Sequence, residues 1–118
     1  MKLNLGCWND YRAGWVNVEH PDNARLVKAD VYQDLNATPY EFEDSSADEI
    51  YMSHVLEHLD NPITVMDECW RILKPNGRLT VRVPHFTDAN TYRDLTHKRG
   101  FAFGFMDYFV GNGGFDYY

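Results

Sequence analysis

The residues best suited to bind a ligand stand directly after short apolar segments of the chain. Gly6 and Cys7 follow residues 3–5, and Glu19 follows residues 15–18. A glycine lets the backbone approach a ligand closely, and a carboxylate can accept two hydrogen bonds from vicinal ribose hydroxyls. These positions therefore favour a ligand that contains ribose.

Polar residues also follow the next two apolar segments. Asp30 and Asp34 accompany residues 27–32, and His54 follows residues 49–53. Each one alone is more typical of a plain turn or of a solvated strand end than of a binding site. Their order is more informative, because a glycine, two acids and a histidine after successive strands fit one ligand that lies across several strand ends.

The segment from His54 to His58 offers a different chemistry, since it matches the H-x-x-E-H pattern of inverted zinc peptidases. In that pattern one helical face carries both imidazoles, and the glutamate, here Glu57, acts as a base. Strand character runs up to Ser53 and a new helix starts at Asn61-Pro62, which leaves hardly two turns of helix between them. Zinc hydrolysis is therefore the less favoured alternative, and we expect no metal. The simplest interpretation makes Glu57 a helix-start acid and His58 a surface residue.

The elements that position these residues are short. Alternation of apolar residues and turn signals predict five strands, at residues 3–5, 15–18, 27–32, 49–53 and 79–83. Only residues 7–14 and about eight further residues connect the first three strands, which is too short for crossover helices. One face of the sheet should therefore be thinly covered.

One helix has clear signals in the sequence. Asn61 can cap it, Pro62 suits its first position, and residues 74–77 contain the Pro and Gly that end it. An apolar stripe at helical spacing predicts the buried face, with Asp67, Glu68 and Arg71 elsewhere on the wheel; the stripe consists of Ile63, Met66, Trp70 and Leu73. A strand, this helix and the next strand form a right-handed βαβ unit with parallel strands, so the fold class is α/β.

Composition excludes several classes of protein. The chain has 118 residues, enough for one domain, with 44% apolar and 15% aromatic residues and no run near the roughly 20 apolar residues of a membrane span. A net charge of −7 opposes binding to nucleic acid. We expect Cys7 and Cys69 to be reduced thiols and, since no signal peptide is evident, a cytoplasmic location.

Four segments together resemble the successive motifs of class I S-adenosylmethionine-dependent methyltransferases that act on small molecules. They read LNLGC at residues 3–7, GWVNVE at 14–19, DEIYMSHVLEHL at 48–59 and RILKPNG at 71–77. The resemblance covers roughly residues 2–85. It implies a Rossmann-like, mostly parallel sheet that is incomplete at its C-terminal side, because the antiparallel strands that usually follow the fifth strand have little room here.

The resemblance also implies roles for individual residues. Gly6 and Cys7 would contact the methionine part of S-adenosylmethionine, Glu19 its ribose, and Asp34 with Leu35 its adenine. His54 would form the floor of the pocket. Residues 88–99 are similar to a segment that some members place over the substrate. We therefore divide the single domain into a cofactor-binding part, residues 1–85, and a substrate-side and association segment, residues 86–118.

The function implied is methyl transfer from S-adenosylmethionine to a small-molecule acceptor. If a base is needed, His58, His85 and His97 are the candidates, although alignment alone can suffice for methyl transfer. The alternative is a non-catalytic remnant of the fold that serves as a binding or assembly module. It is favoured by Trp8, which stands where the family usually has a second glycine.

Association with a second copy is the last expectation. An exposed edge strand and uncovered apolar surface promote self-association. We expect a homo-oligomer that buries the edge of the fifth strand together with an aromatic cluster, which comprises Phe101, Phe103, Phe105, Tyr108 and Phe109.

Overall fold

Five parallel strands form one sheet in the computed structural model, which describes residues 1–110, with Tyr108 and Val110 described only in their backbone. The strands are β1 (Lys2–Leu5), β2 (Val16–Glu19), β3 (Val31–Tyr32), β4 (Ala47–Ser53) and β5 (Leu73–Arg82). Their spatial order is β3-β2-β1-β4-β5. The predicted α/β class with a mostly parallel sheet is confirmed, and the strand order reverses between β1 and β4.

The principal helix is α1 (Pro62–Ile72), and short helices follow at α2 (Ala89–Arg93) and α3 (Asp107–Val110). The predicted cap is confirmed, since the Asn61 side chain accepts hydrogen bonds from the backbone N–H groups of Ile63 and Thr64. The connections from β1 to β2 and from β2 to β3 contain one 3₁₀ turn, Pro21–Asn23, and no α-helix, so they are loops as expected.

The buried face of α1 differs from the predicted stripe. Trp70 is 83% exposed, Ile63 is also exposed, and Leu73 already belongs to β5. The apolar residues that face the core are Val65, Met66, Cys69 and Ile72. Apolar residues occur on both sides of this helix, so packing against the sheet decided which side is buried.

Glu68, predicted for the polar side of α1, is buried. Its carboxylate accepts hydrogen bonds from the backbone N–H of Tyr40, at 2.7 Å, and from the guanidinium of Arg71. The Arg71 bonds, with the Tyr40 bond and the Arg71 charge, hold the pKa of Glu68 below its ordinary value despite burial. This pair joins α1 to the loop that follows β3.

The two faces of the sheet differ in polarity. One face packs the core, which includes Leu3, Leu5, Val18, Ile50 and Met52. On the other face the Asn4 amide donates to the carbonyl of Asp10 at 2.6 Å and to Asn17 Oδ1 at 3.0 Å. These bonds connect the sheet to the loop between β1 and β2, where a helix would otherwise stand. The thinly covered face is therefore polar at these positions.

Two segments near the strands differ from expectation. Asp30 precedes β3 instead of following it, and its carboxylate accepts bonds from Asn17 and from the Tyr11 hydroxyl. The hydrogen bond from the Asn17 backbone N–H, followed by the one from its side-chain amide, lowers the pKa of Asp30. Asp30 is therefore a structural acid that lies away from the carboxyl ends of the strands. Residues 74–77, predicted to end the helix, lie within β5, where the pairing with β4 shifts register.

The segment after β5 folds back onto the sheet without adding a strand to it in residues 83–110. Phe101 is buried in the core of its own chain and packs against Phe105 in a tilted arrangement, with ring centroids 4.7 Å apart. Its predicted burial against another copy is therefore wrong. Phe103 is 99% exposed, and the side chain of Tyr108 lies outside the described residues. No helix within residues 1–110 has both the length and the apolar composition of a membrane span.

Candidate functional site

A cavity of about 850 Å³ opens at the carboxyl ends of the strands, beside the point where strand order reverses. Five of the six predicted cofactor-binding residues line it, namely Gly6, Glu19, Asp34, Leu35 and His54. Strands β1, β2 and β4 and the turn after β3 supply them. Parallel strands end at one edge of the sheet, which is why residues spread over 49 positions meet here.

Cys7, the sixth, does not line this cavity. Its thiol is buried with Sγ 3.8 Å from the carbonyl oxygen of Lys28. Burial, followed by the negative charge of Glu19, raises the pKa of Cys7 to about 11, so the thiol is protonated near neutral pH. Cys7 lines a neighbouring pocket of about 530 Å³, which also includes Gly6, Trp8 and His54.

Gly6 is required by the local geometry on two grounds. Its φ is +68°, a left-handed conformation that glycine adopts without strain. A Cβ on this residue would also stand 2.4 Å from a methyl carbon of Val55. The backbone N–H groups of Gly6 and Cys7 both donate to the carbonyl of Val18, at 2.8 and 2.9 Å, and this turns the chain at the end of β1.

Glu19 lies at the end of β2 with a buried carboxylate that organises the turns around it. Oε2 accepts from the backbone N–H of Trp8 at 2.8 Å, and Oε1 accepts from the backbone of His20 at 2.9 Å and the Asn23 amide at 3.1 Å. A carboxylate has about four acceptor positions, so roughly one remains for a ligand.

Trp8 has a left-handed backbone conformation, which glycine adopts most readily. Its φ is 41°, and its N–H still reaches Glu19 as described. The indole is half exposed and lines both the cavity and the neighbouring pocket. The bulk of this side chain therefore stands between the two spaces.

The three histidines predicted as possible bases occupy different environments. His58 lines the cavity, and its ring centroid lies 4.6 Å from that of His97, which is nearly buried. His85 is exposed, bonds to Thr87 at 2.6 Å, and does not line the cavity. Asp94 lies beside His97, and hydrogen bonds from the Thr96 hydroxyl and backbone lower the pKa of this carboxyl.

The H-x-x-E-H segment does not form the helix that a zinc peptidase needs. His54 follows the end of β4 with a φ of 56° and a side chain 61% exposed, and Leu56–His58 form a single 3₁₀ turn. The imidazoles of His54 and His58 therefore share no helical face, and that alternative lacks its structural context.

Sequence reasoning missed several residues that line the cavity. Four of them come from the turns after β2 and β3 and are close in sequence to the predicted acids: His20, Asn23, Gln33 and Asn36. Their closeness to Glu19 and Asp34 is the sequence signal that could have identified them. Asp94 and Thr96 come from the segment after β5. The resemblance implied that residues 88–99 lie over the substrate side, but it assigned no individual role to these two residues.

Comparison with known proteins identifies the fold. A family model described as a methyltransferase domain matches residues 11–81. The chain is similar to a SAM-dependent methyltransferase from Archaeoglobus fulgidus, with a TM-score of 0.75 and 20% identity over 93% of this chain and 58% of the other. It is also similar to a possible histamine N-methyltransferase from Thermotoga maritima, with a TM-score of 0.67 and 22% identity over 86% of this chain and 57% of the other.

A third similar structure is the trans-methyltransferase CalH in complex with SAH, with a TM-score of 0.52 and 17% identity over 68% of this chain and 30% of the other. No curated protein sequence matches the chain. The chain spans less than three fifths of the length of the first two similar structures. The family match covers more than half of the chain and the sheet agrees with it, so this protein belongs to the methyltransferase domain family and has the class I S-adenosylmethionine-dependent methyltransferase fold.

Proposed function

We propose that the chain binds S-adenosylmethionine in the 850 Å³ cavity and takes part in transfer of its methyl group to a small-molecule acceptor. The observation that carries this proposal is the convergence of Gly6, Glu19, Asp34, Leu35 and His54 on one cavity of a methyltransferase-family fold. Two similar structures are described as SAM-dependent or as a possible N-methyltransferase, and a third contains SAH, which supports the same ligand here.

The residues present fit this cofactor. The cavity lies within the range of roughly 300–1,000 Å³ typical of small-molecule sites. Glu19 has an acceptor position left for one ribose hydroxyl, and the Asn23 amide can turn away to free a second. Leu35 supplies an apolar wall for the adenine, and Asp34 a carboxylate for its polar edge.

When bound, the cofactor supplies an electrophilic methyl group on a sulfonium sulfur. The chain then has to hold the acceptor in line with that methyl group, since alignment provides much of the rate acceleration in such transfers. His58 lines the cavity and is the predicted base best placed to take a proton from an acceptor. His85 does not line the cavity, which weakens the prediction for that residue.

Isothermal titration with S-adenosylmethionine and S-adenosylhomocysteine tests the proposal. We expect Glu19→Gln to weaken binding by more than about tenfold, or ~1.4 kcal/mol. The matched control is Glu43→Gln, which makes the same change at an exposed carboxylate outside the cavity and should leave the affinity unchanged. Absence of binding at millimolar ligand would contradict the proposal and favour a non-catalytic binding or assembly module.

The proposal includes two further expectations from the sequence. We place the activity in the cytoplasm, and we expect the active form to be a homo-oligomer. Light scattering of the wild-type protein and of its Phe103→Ser variant tests the second expectation.

A further inference from the structure

Glu57 is a buried acid whose two carboxyl oxygens have no hydrogen-bond partner in the described part of the chain. Its side chain is fully buried. Two imidazole nitrogens face Oε1 without bonding to it, His54 Nδ1 at 3.5 Å and His97 Nε2 at 3.9 Å. A buried charge is costly unless a positive charge or a metal ion stands beside it.

His97 directs its Nε2 toward this acid. Its Nδ1 lies 3.1 Å from the carbonyl oxygen of Thr91, which can only accept, so Nδ1 carries the proton of the neutral ring. Nε2 then has a free lone pair, and it faces both Glu57 Oε1 and Asp94 Oδ2, the latter at 3.5 Å. Two carboxylates therefore face the same imidazole nitrogen, an arrangement that a proton or a metal ion would stabilise.

His58 is oriented in the same way. Its Nδ1 lies 2.9 Å from the hydroxyl oxygen of Thr96, and that hydroxyl donates its own proton to Asp94 at 2.6 Å. His58 Nδ1 must therefore be the donor to Thr96, and in the neutral ring Nε2 then keeps a free lone pair. A ring N–H held by an oxygen acceptor while the second nitrogen stays free is the arrangement typical of histidines that bind metals.

We propose that Glu57, His58 and His97 form a site for a divalent transition-metal ion of the zinc type. One ligand atom from each residue lies within 4.8 Å of the others. Zinc bonds of roughly 2.0–2.1 Å separate tetrahedral ligands by about 3.4 Å, so the ion would draw the three groups together. Two imidazoles and one carboxylate suit zinc and similar ions and leave a fourth position open.

This set differs from the H-x-x-E-H motif in two ways, because Glu57 is a ligand instead of a base and a different second histidine is used. His97, from the segment after β5, takes the place of the largely exposed His54. Because His58 also lines the cavity, the open position can receive an oxygen or nitrogen atom of an acceptor. Only this role of the open position rests on the proposed function. His58 would then be a metal ligand instead of a base, and the metal, not the imidazole, would contact the acceptor.

The test is titration of chelator-treated protein with Zn²⁺ against a chromophoric indicator, in the absence of any cofactor. We expect one equivalent to bind, and His58→Ala, His97→Ala and Glu57→Gln each to weaken binding at least tenfold. His85→Ala is the matched control at an exposed histidine and should change the affinity less than threefold. Mg²⁺, which prefers oxygen ligands, should bind at least tenfold more weakly than Zn²⁺.

His54→Ala distinguishes this site from the linear motif. Unchanged zinc binding by His54→Ala supports the proposal, whereas loss of binding in His54→Ala with retention in His97→Ala would overturn it. Circular dichroism of each variant controls for folding, and His58→Ala changes only a half-buried side chain. Absence of Zn²⁺ binding by the wild-type protein, or Mg²⁺ binding tighter than Zn²⁺, would also overturn the proposal.

The absorption spectrum of the Co²⁺ form identifies the ligand atoms independently of affinity. We expect bands of nitrogen and oxygen ligation without thiolate charge transfer, because Cys7 and Cys69 are both buried away from the three ligands. A thiolate band would assign the metal to a cysteine and overturn the proposal. None of these measurements depends on S-adenosylmethionine, so failure of the metal site and failure of the cofactor site are distinguishable.

Discussion

At the scale of single residues, Trp8 shows that a turn with a positive φ can form without a glycine at that position. The backbone has a φ of 41°, and its N–H still donates to Glu19. A left-handed conformation costs a residue with a Cβ roughly 1–2 kcal/mol. The hydrogen bond to Glu19 and the packing of the surrounding loop hold Trp8 in this conformation.

Trp8→Gly and Trp8→Ala separate the strain at this position from the bulk of the indole. Both variants remove the ring from the cavity wall, and only glycine also relieves the backbone. We expect Trp8→Gly to be more stable than Trp8→Ala by about 1 kcal/mol in urea unfolding, and both to bind S-adenosylmethionine more tightly than wild type. Equal stabilities would show that the turn is unstrained. Weaker binding by both would mean that the indole packs on the cofactor.

At the scale of elements, residues 94–99 act as a brace for the 3₁₀ turn Leu56–His58. The guanidinium of Arg99 donates to the carbonyls of Leu56 and Leu59 at 3.2 and 2.5 Å and to that of Asp60 at 2.9 Å. Lys98 adds a backbone bond to the carbonyl of Glu57 at 2.7 Å. Carbonyls at the end of a helical turn have no partner within it, so the brace supplies partners to those of Glu57 and Leu59, while the Leu56 carbonyl also accepts from the N–H of Leu59.

Arg99→Ala should therefore destabilise the fold strongly. Carbonyls left without partners in a partly buried position cost about 1–3 kcal/mol, and we expect a total loss near 2–3 kcal/mol in urea unfolding. Arg99→Lys should lose less, because one ammonium can reach part of the set. Arg93→Ala, at an exposed arginine of α2, is the control and should change stability by less than about 0.5 kcal/mol. A similarly small effect of Arg99→Ala would refute the brace.

At the scale of the whole molecule, the polar second face of the sheet lowers one hazard of association, while two others remain. Strand β5 pairs only with β4 in the described residues, which leaves it at an edge of the sheet. Phe103 is almost fully exposed beyond it. An unpaired edge and an exposed ring are features that a second copy of the chain can cover.

Light scattering at micromolar concentration tests this association. We expect the wild-type protein to form a homo-oligomer and Phe103→Ser to shift it toward the monomer. Leu95→Ser, which removes another exposed apolar side chain outside the aromatic cluster, is the control and should leave the mass unchanged. A wild-type protein that is strictly monomeric would contradict the expectation.

The parts of the fold that could be predicted depend on neighbours in the chain. The Asn61 cap, the glycine at the end of β1 and the strand-end position of Glu19 are confirmed, since a cap or a strand end is formed by adjacent residues. The buried side of α1 and the role of Asp30 were mispredicted. Both depend on contacts with distant residues, namely those of the core and Asn17.

The sequence by itself therefore determined the order of the elements and the edge of the sheet at which Gly6, Glu19 and His54 meet. This follows because parallel strands present their carboxyl ends at one edge. Only the tertiary structure decided that Cys7 lies outside the main cavity and that His97 stands beside Glu57 and His58. The physical reason is that such a cluster forms through packing of segments about 40 residues apart, and no local spacing or propensity encodes that packing.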